Sequence, residues 1–462
     1  MMRHWNKTLS GCGIVAALCL AGLPAHAQEQ TPETPKPAAR AYPPIGDNGD
    51  QTSPDTLEPD TRPLTGIQSP TLGRIESPHS YWVPGFQYAN TIQNDSSTSS
   101  GWSTTNYIAA NVSLLDSTRS SQLALNYSGG GSFSNNPAVG NGTFQELGAS
   151  ETFQWNRWRL QFFDQFSYLP ESNFGFGAGT PLGSGGVPIA QPPPQPGLGQ
   201  SAQSLFTAVG PQYNNSFATQ VFYNVSPRGS INLSGSYGIL RFVDAGSIDS
   251  NNAGASVGYN YALTKEDTIG LVDRFGRYSY VGNPQVIEDN AINVAYGRKI
   301  TGRLALQIFG GPDIIRYKVP IAGSTGVVTG SGGGTLLYAF ERGSVGLGYN
   351  HGVTGGSGVF VGAETDQVTG TVSRQVSRAW QLQGNVGYAL NRTVSSLTLP
   401  ANQTIPSYNS VYLAGTATRP WGPNMLLSLS YRASIQTNGG SNYTQHQILI
   451  SFQWHTRPLV LR

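Results

Sequence analysis

Residues 230–239 alternate without a break. Ile231, Leu233, Gly235, Tyr237 and Ile239 share one parity, and Ser230, Asn232, Ser234, Ser236 and Gly238 share the other. A period of two marks a strand with one apolar and one polar face, and it cannot lay a continuous stripe along a helix of 3.6 residues per turn. The pattern returns with Trp158, Leu160, Phe162, Phe166 and Tyr168 set against Arg159, Gln161, Gln165 and Ser167. It returns again with Trp380, Leu382, Val386, Tyr388 and Leu390 against Gln381, Gln383, Asn385 and Asn391, and with Ile448, Ile450, Phe452 and Trp454 against Gln447, Ser451 and Gln453. Such segments run about ten residues, the length a tilted strand needs to cross a bilayer. No amphipathic helix of comparable quality is found in the sequence.

Composition narrows the reading further. Only 11% of the 462 residues are charged, against roughly 25% in an average soluble domain. The mean hydropathy of −0.25 is nevertheless too polar for a bundle of membrane helices. Ser, Thr, Asn, Gln and Gly stand where charge is missing. A nucleic-acid binder, an acidic disordered chain and a polytopic helical transporter are thereby excluded. The 27 basic and 25 acidic side chains differ by the two basic residues of the first 27 positions, Arg3 and Lys7. Both cysteines, Cys12 and Cys19, also lie in that stretch, so the rest of the chain has no disulfide, thiolate metal site or cysteine nucleophile.

Residues 1–27 read as a secretory signal peptide. Arg3, His4 and Lys7 form the basic region, 14–23 the apolar run, and Ala25-His26-Ala27 the small-residue cleavage site. Leu9-Ser10-Gly11-Cys12 looks like a lipoprotein box, but most of the apolar run follows Cys12 instead of preceding it. Residues 28–80 carry ten prolines, eight acids, four bases and few apolar side chains. Such a stretch reads as a disordered Pro-rich periplasmic linker, because it cannot bury enough apolar surface to offset its ordering entropy. A segment that plugs a lumen or touches a partner is the alternative. Residues 81–462 hold the alternating strands.

About eighteen strands (16–18) can be counted there. Every second connection is a tight polar turn, at 116–119, 156–157, 226–229, 265–266, 299–303, 341–344, 377–378 and 419–423. The intervening connections read as longer and rich in Gly, Ser, Asn and Pro, the longest being 170–214. A strict short-long alternation gathers turns at one rim and loops at the other. Aromatics supply an independent check. Tyr127, Tyr168, Tyr237, Tyr349, Tyr388 and Tyr431 sit on the apolar face toward the long loops, and Trp158, Tyr223, Tyr261, Tyr296, Trp380 and Trp454 toward the short turns. Two belts of amphipathic rings are what two bilayer interfaces require. The expected fold is therefore all-β, a transmembrane antiparallel up-and-down barrel with short periplasmic turns and long extracellular loops.

This pattern resembles the outer-membrane β-barrel porins of Gram-negative bacteria over about residues 81–454. The resemblance rests on the signal peptide, the alternation, the girdles and the terminal Phe452-Gln453-Trp454 strand, beyond which 455–462 extends. It implies a place in the outer membrane, contact with its lipid and lipopolysaccharide, insertion by the barrel-assembly machinery, and a homotrimer. In the trimeric porins the third loop narrows the channel with acids that face arginines. The third loop here, 170–214, has Glu171, Phe174, Phe176 and Pro181 but no Lys or Arg, so any constriction it makes would be neutral.

The lumen face carries whatever chemistry there is. Its candidate lining residues are Arg159, Gln161, Gln165, Asn232, Ser234, Arg274, Arg374, Gln383, Asn385 and Arg432. Neutral hydrogen-bonding walls suit uncharged polar solutes, whereas a charged eyelet selects by sign. From residue 81 onward 21 basic side chains face 17 acidic ones, which predicts at most a mild anion preference. An enzyme is not expected, because neither an Asp-x-His pair nor a tight acid cluster accompanies His351 in the sequence, and no cofactor or nucleic-acid partner is implied. The glycine runs at 330–334 and 355–358 lack the Lys and helix of a phosphate loop and read as surface loops. The expected function is a porin-like channel for small polar, largely uncharged solutes. An export barrel for a surface polysaccharide, or a closed barrel displaying adhesive loops, is the alternative.

Overall fold

The computed structural model describes residues 80–461 apart from 96–100, 119, 137–139, 170–210, 244–245, 322, 357, 378, 396–406, 423 and 439–440. Eighteen long strands form the wall. They are β1 (Tyr81–Asp95), β2 (Trp102–Ser117), β3 (Ser121–Ser134), β4 (Gly142–Trp155), β5 (Trp158–Leu169) and β6 (Gln212–Asn224). Next come β7 (Gly229–Phe242), β8 (Ser250–Ala262), β9 (Asp267–Tyr280), β10 (Asn283–Lys299), β11 (Leu304–Ile321) and β12 (Ser324–Phe340). The last six are β13 (Gly343–Thr354), β14 (Ala363–Gln375), β15 (Gln381–Thr393), β16 (Ser407–Pro420), β17 (Met425–Asn438) and β18 (Ser441–His455).

Each strand pairs antiparallel with its sequence neighbours, and β1 pairs with β18 from Gly85–His455 to Asp95–Gln445. The sheet is therefore a closed up-and-down barrel. Closure leaves no lateral edge, so the backbone hydrogen bonds of the wall are satisfied within the wall itself. A two-residue β19 (Leu459–Val460) continues the seam against Trp82 and Tyr81 beyond the terminal Phe452-Gln453-Trp454.

The faces are inverted relative to a soluble protein. Leu233, Val257, Leu271, Leu347, Val386, Leu413 and Leu429 are among the most exposed side chains, whereas Gln87, Thr91, Gln161, Asn232, Asn260 and Gln453 are buried. Exposed apolar surface on this scale, continuous around a closed wall, is a lipid-facing surface. The outer parity also carries both tyrosine and tryptophan belts. Tyr127, Tyr237, Tyr349, Tyr388 and Tyr431 are exposed toward one rim, and Trp158, Tyr261, Trp380 and Trp454 toward the other.

Two expectations about connections are corrected. All eight short turns are present at one rim, but the other rim is not uniformly looped: β9–β10 turns through 281–282, Ile321 at the end of β11 pairs with Ser324 at the start of β12, and Asn438 at the end of β17 pairs with Ser441 at the start of β18. There the length lies in the strands, since β10, β11 and β12 run 17, 18 and 17 residues. The glycine run 330–334 is accordingly not a loop but part of β12. Cross-strand partners crowd it: a Cβ on Gly333 would lie 2.6 Å from the Tyr349 carbonyl oxygen and 2.8 Å from the Phe309 ring. The run is wall, and at Gly333 a side chain does not fit, whereas Gly330 is open.

Candidate functional site

Eighteen strands leave room for an aqueous path, which eight would fill with side chains. The inner wall is the site, and its chemistry is set by the inward parity of each strand. Gln87 and Thr91 come from β1, Ser103, Asn111 and Ser113 from β2, and Ser428 from β17, where it bonds Ser451 at 2.6 Å. Some of these neutral groups bond across the strands, as with Ser234 Oγ and Ser256 Oγ at 2.7 Å.

The sequence-derived lining residues fall as follows. Arg159, Gln161 and Asn232 are inward and buried, and Gln161 donates to Thr152 Oγ1 at 3.4 Å. Gln165 and Gln383 are inward and exposed, while Ser234, Asn385 and Arg432 are inward and half-buried. Arg274 is inward and buried. Arg374 does not join them. It pairs with Leu382 and lies two residues beyond Val372, both on the lipid-facing parity. At a rim a long cation reaches headgroups from that side, so its charge is no guide to its face. Glu171, Phe174, Phe176 and Pro181 lie outside the described residues, as do residues 1–79.

A different loop enters the barrel. The last β12–β13 pair is Gly332–His351, after which β13 continues only beside β14. The freed β13–β14 tip turns inward. Val353 is buried among Tyr278, Ile287, Ile315 and Tyr317, and Tyr278 donates its hydroxyl to the Val353 carbonyl at 3.1 Å. Of the connection that follows, residues 355–356 and 358–362 are described, and they form an inward strap. On one side the Ile248 amide of the β7–β8 connection donates to the Gly358 carbonyl at 2.9 Å. Phe360 packs against the cluster of Ala389, Tyr408 and Tyr412, and Val361 against the cluster around Ile287. Gly362 has φ +78°, and a Cβ there would lie 2.2 Å from Ile287 Cδ1. Gly355, Gly356 and Gly358 of the run 355–358, read as a surface loop, thus belong to an inward one. The available signal was Val359-Phe360-Val361, three apolar residues inside a glycine-rich connection.

Charge is concentrated at the foot of this strap. Arg274 Nη2 lies 2.8 Å from Asp289 Oδ2 and 3.5 Å from Asp313 Oδ2, with both carboxylates fully buried. On the stems, His351 Nδ1 is 2.8 Å from Asp366 Oδ1 and His351 Nε2 is 3.5 Å from Glu364 Oε1. Arg392 reaches Asp366 Oδ2 at 2.7 Å and Glu364 Oε2 at 3.8 Å. Tyr349 donates to Asp366 Oδ1 at 2.8 Å, and Thr329 to Glu364 Oε1 at 3.3 Å. The expectation that no tight acid cluster accompanies His351 is therefore overturned. Antiparallel pairing of β13 with β14 sets Asp366 directly opposite His351, fifteen residues away in sequence. Both ring nitrogens face carboxylates, an arrangement that holds an imidazole in place instead of freeing it as a general base.

An apolar exterior with two aromatic belts, around a polar lumen in a closed wall of eighteen strands, defines a membrane-spanning β-barrel of channel dimensions. No protein-family model matches the chain, and no curated protein does. Among solved structures it is similar to the outer membrane protein OpdK of Pseudomonas aeruginosa, with a TM-score of 0.45 and 11% identity, covering 83% of this chain and 100% of that one. It is also similar to OpdQ of the same organism, at 0.42 and 9% over 82% and 99% of the chains, and to OccAB4 of Acinetobacter baumannii, at 0.43 and 8% over 82% and 99%.

Proposed function

We propose that this chain is a passive outer-membrane channel for small polar, largely uncharged solutes, with little selectivity for charge. The observation that carries the reading is the inner wall: in a barrel wide enough for water, its inward parity is dominated by Gln, Asn, Ser and Thr. The charges near the mouth are mostly drawn into pairs with one another, so they add little net field along the path. On this reading the chain is exported by a cleaved signal peptide, folded by the barrel-assembly machinery and surrounded by outer-membrane lipid and lipopolysaccharide. A homotrimer is the assembly that the porin resemblance favours.

The test is single-channel recording of the folded protein in a planar bilayer, with reversal potentials measured across a salt gradient. Steady conductance steps and a reversal potential near zero support the reading. A strongly shifted reversal potential refutes the low selectivity, and silence from a folded barrel favours a closed display barrel.

A further inference from the structure

Two places on the exterior of the wall break its apolar character. Asp164 on β5 lies between Phe162 and Phe166 on the lipid-facing parity, opposite the exposed Phe217 of β6. Asn215 of β6 donates its Nδ2 to Asp164 Oδ1 at 3.0 Å. Four strands on, Asp273 of β9 lies between Leu271 and Phe275 on the same parity, opposite the exposed Ile292 of β10. There Asn290 donates its Nδ2 to Asp273 Oδ1 at 3.1 Å. The two pairs follow one pattern. Each Asp stands two residues before a Phe, and each Asn is the cross-strand partner of that Phe, Phe166 with Asn215 and Phe275 with Asn290. We infer that these pairs are the two halves of a contact between copies of this chain, which join head to tail in a closed ring of three or four.

Both pairs lie deep in the bilayer. Asp164 is six residues from Trp158 of one belt and four from Tyr168 of the other. Asp273 is four residues from Ile269, opposite Tyr261 of the short-turn belt, and four from Arg277, whose row runs through Ala253 to Tyr237. Hydrocarbon offers a carboxyl or a carboxamide no partner, so polar groups at this depth serve to join membrane-spanning segments. The bond within each pair uses one amide hydrogen and one carboxyl oxygen, and leaves one of each to offer outward. Copies in one membrane share their depth, so a polar spot midway down meets only a spot equally deep. Two surfaces brought face to face exchange left and right. The Asp of one pair therefore meets the Asn of the other, Asp164 against Asn290 and Asn215 against Asp273, donor to acceptor on both sides. Four strands of eighteen separate the pairs by about 80° around the wall. Contact directions on one copy differ by about 60° in a ring of three and about 90° in a ring of four. A two-fold dimer would use one pair and leave the other in lipid. Between the pairs, the apolar arc of β7 and β8 faces the ring axis and keeps Leu233 in apolar surroundings.

The inference deepens the homotrimer reading by naming its contact, and its test is independent of current. In a chain with Cys12→Ser and Cys19→Ser, Phe217→Cys lies opposite Asp164 and Phe275→Cys opposite Asn290, both at exposed exterior positions. Oxidation with copper phenanthroline in lipid vesicles is expected to link the double-cysteine chain into dimers and a closed ring, and to link neither single-cysteine chain. Asp164→Leu with Asn215→Leu should turn the oligomer into a monomer by light scattering in mild detergent, while the heat-modifiable mobility of a folded barrel is kept. Asp273→Leu with Asn290→Leu should do the same. Mixing the two variant chains should then give dimers, because one intact contact remains between them. Dimers from a single-cysteine chain overturn the ring. So does an oligomer that survives both pairs of substitutions, or an unsubstituted chain that is monomeric. A ring without current refutes the channel and leaves the contact. Current from chains that do not cross-link refutes the contact and leaves the channel.

Discussion

Leu233 tests the assignment of inside and outside most directly. It lies in the middle of β7, four residues from Gly229 at the short-turn end and four from Tyr237 in the opposite aromatic belt. Its cross-strand neighbours are Val221 and Val257, and it is 46% exposed in the isolated barrel, which means it is covered by lipid. Leu233→Arg puts a cation on the lipid face near the bilayer midplane, where the cost is about 2–4 kcal/mol. That corresponds to roughly a 30- to several-hundred-fold loss in the folding equilibrium in a bilayer. The control is Gln383→Arg, since Gln383 is exposed on the inward parity, between Ser373 and Thr416. Asn232, next to Leu233, is a poorer control because it is 1% exposed and has no room for a guanidinium. Denaturant titrations into lipid vesicles, followed by heat-modifiable mobility on gels, measure both variants. Leu233→Arg should lower the stability by the stated amount while Gln383→Arg leaves it within about 0.5 kcal/mol. Equal stability of Leu233→Arg and the unsubstituted chain, or equal damage by both substitutions, would refute the assignment of faces.

Three further outcomes follow from the same structure. Arg274→Met leaves Asp289 and Asp313 buried without their guanidinium; a loss of about 3–5 kcal/mol is expected, and Asp289→Asn with Asp313→Asn in the same chain should recover much of it in a urea titration. Gly362→Val forces a β-branched residue to φ +78° against Ile287, so the strap should lift and single-channel conductance should rise while the thermal unfolding of the wall is unchanged. Deleting 456–462 removes the Tyr81–Val460 and Trp82–Leu459 pairs but keeps the eleven β1–β18 pairs; the barrel should still close, with a lower folding yield read from heat-modifiable mobility.

Much of the wall was legible in the sequence because parity is a local property. Alternation within 230–239 places Leu233 and Asn232 on opposite faces whatever surrounds them, and the structure has them 46% and 1% exposed. Turn chemistry is equally local, and so the eight short connections were readable one by one. The rule failed where the pattern was thin. β14 near Arg374 is a run of Thr, Ser, Gln and Gly whose face is marked by only two valines, and the arginine was assigned by its charge instead. It also failed in β12, where the glycines of 330–334 removed the side chains by which parity is read.

By itself, then, the sequence determined an all-β wall of about eighteen strands, its two aromatic belts and its neutral polar lining, since each follows from period-two patterning within about ten residues. Only the tertiary structure decided what closes the mouth. His351 meets Asp366 because β13 pairs with β14, Val353 meets Ile287 because β13 leaves β12, and Gly358 meets Ile248 across several strands of the wall. These contacts join segments that share no local pattern. They exist because closing the barrel brings distant rims within hydrogen-bonding distance, and no periodicity along a single strand encodes that.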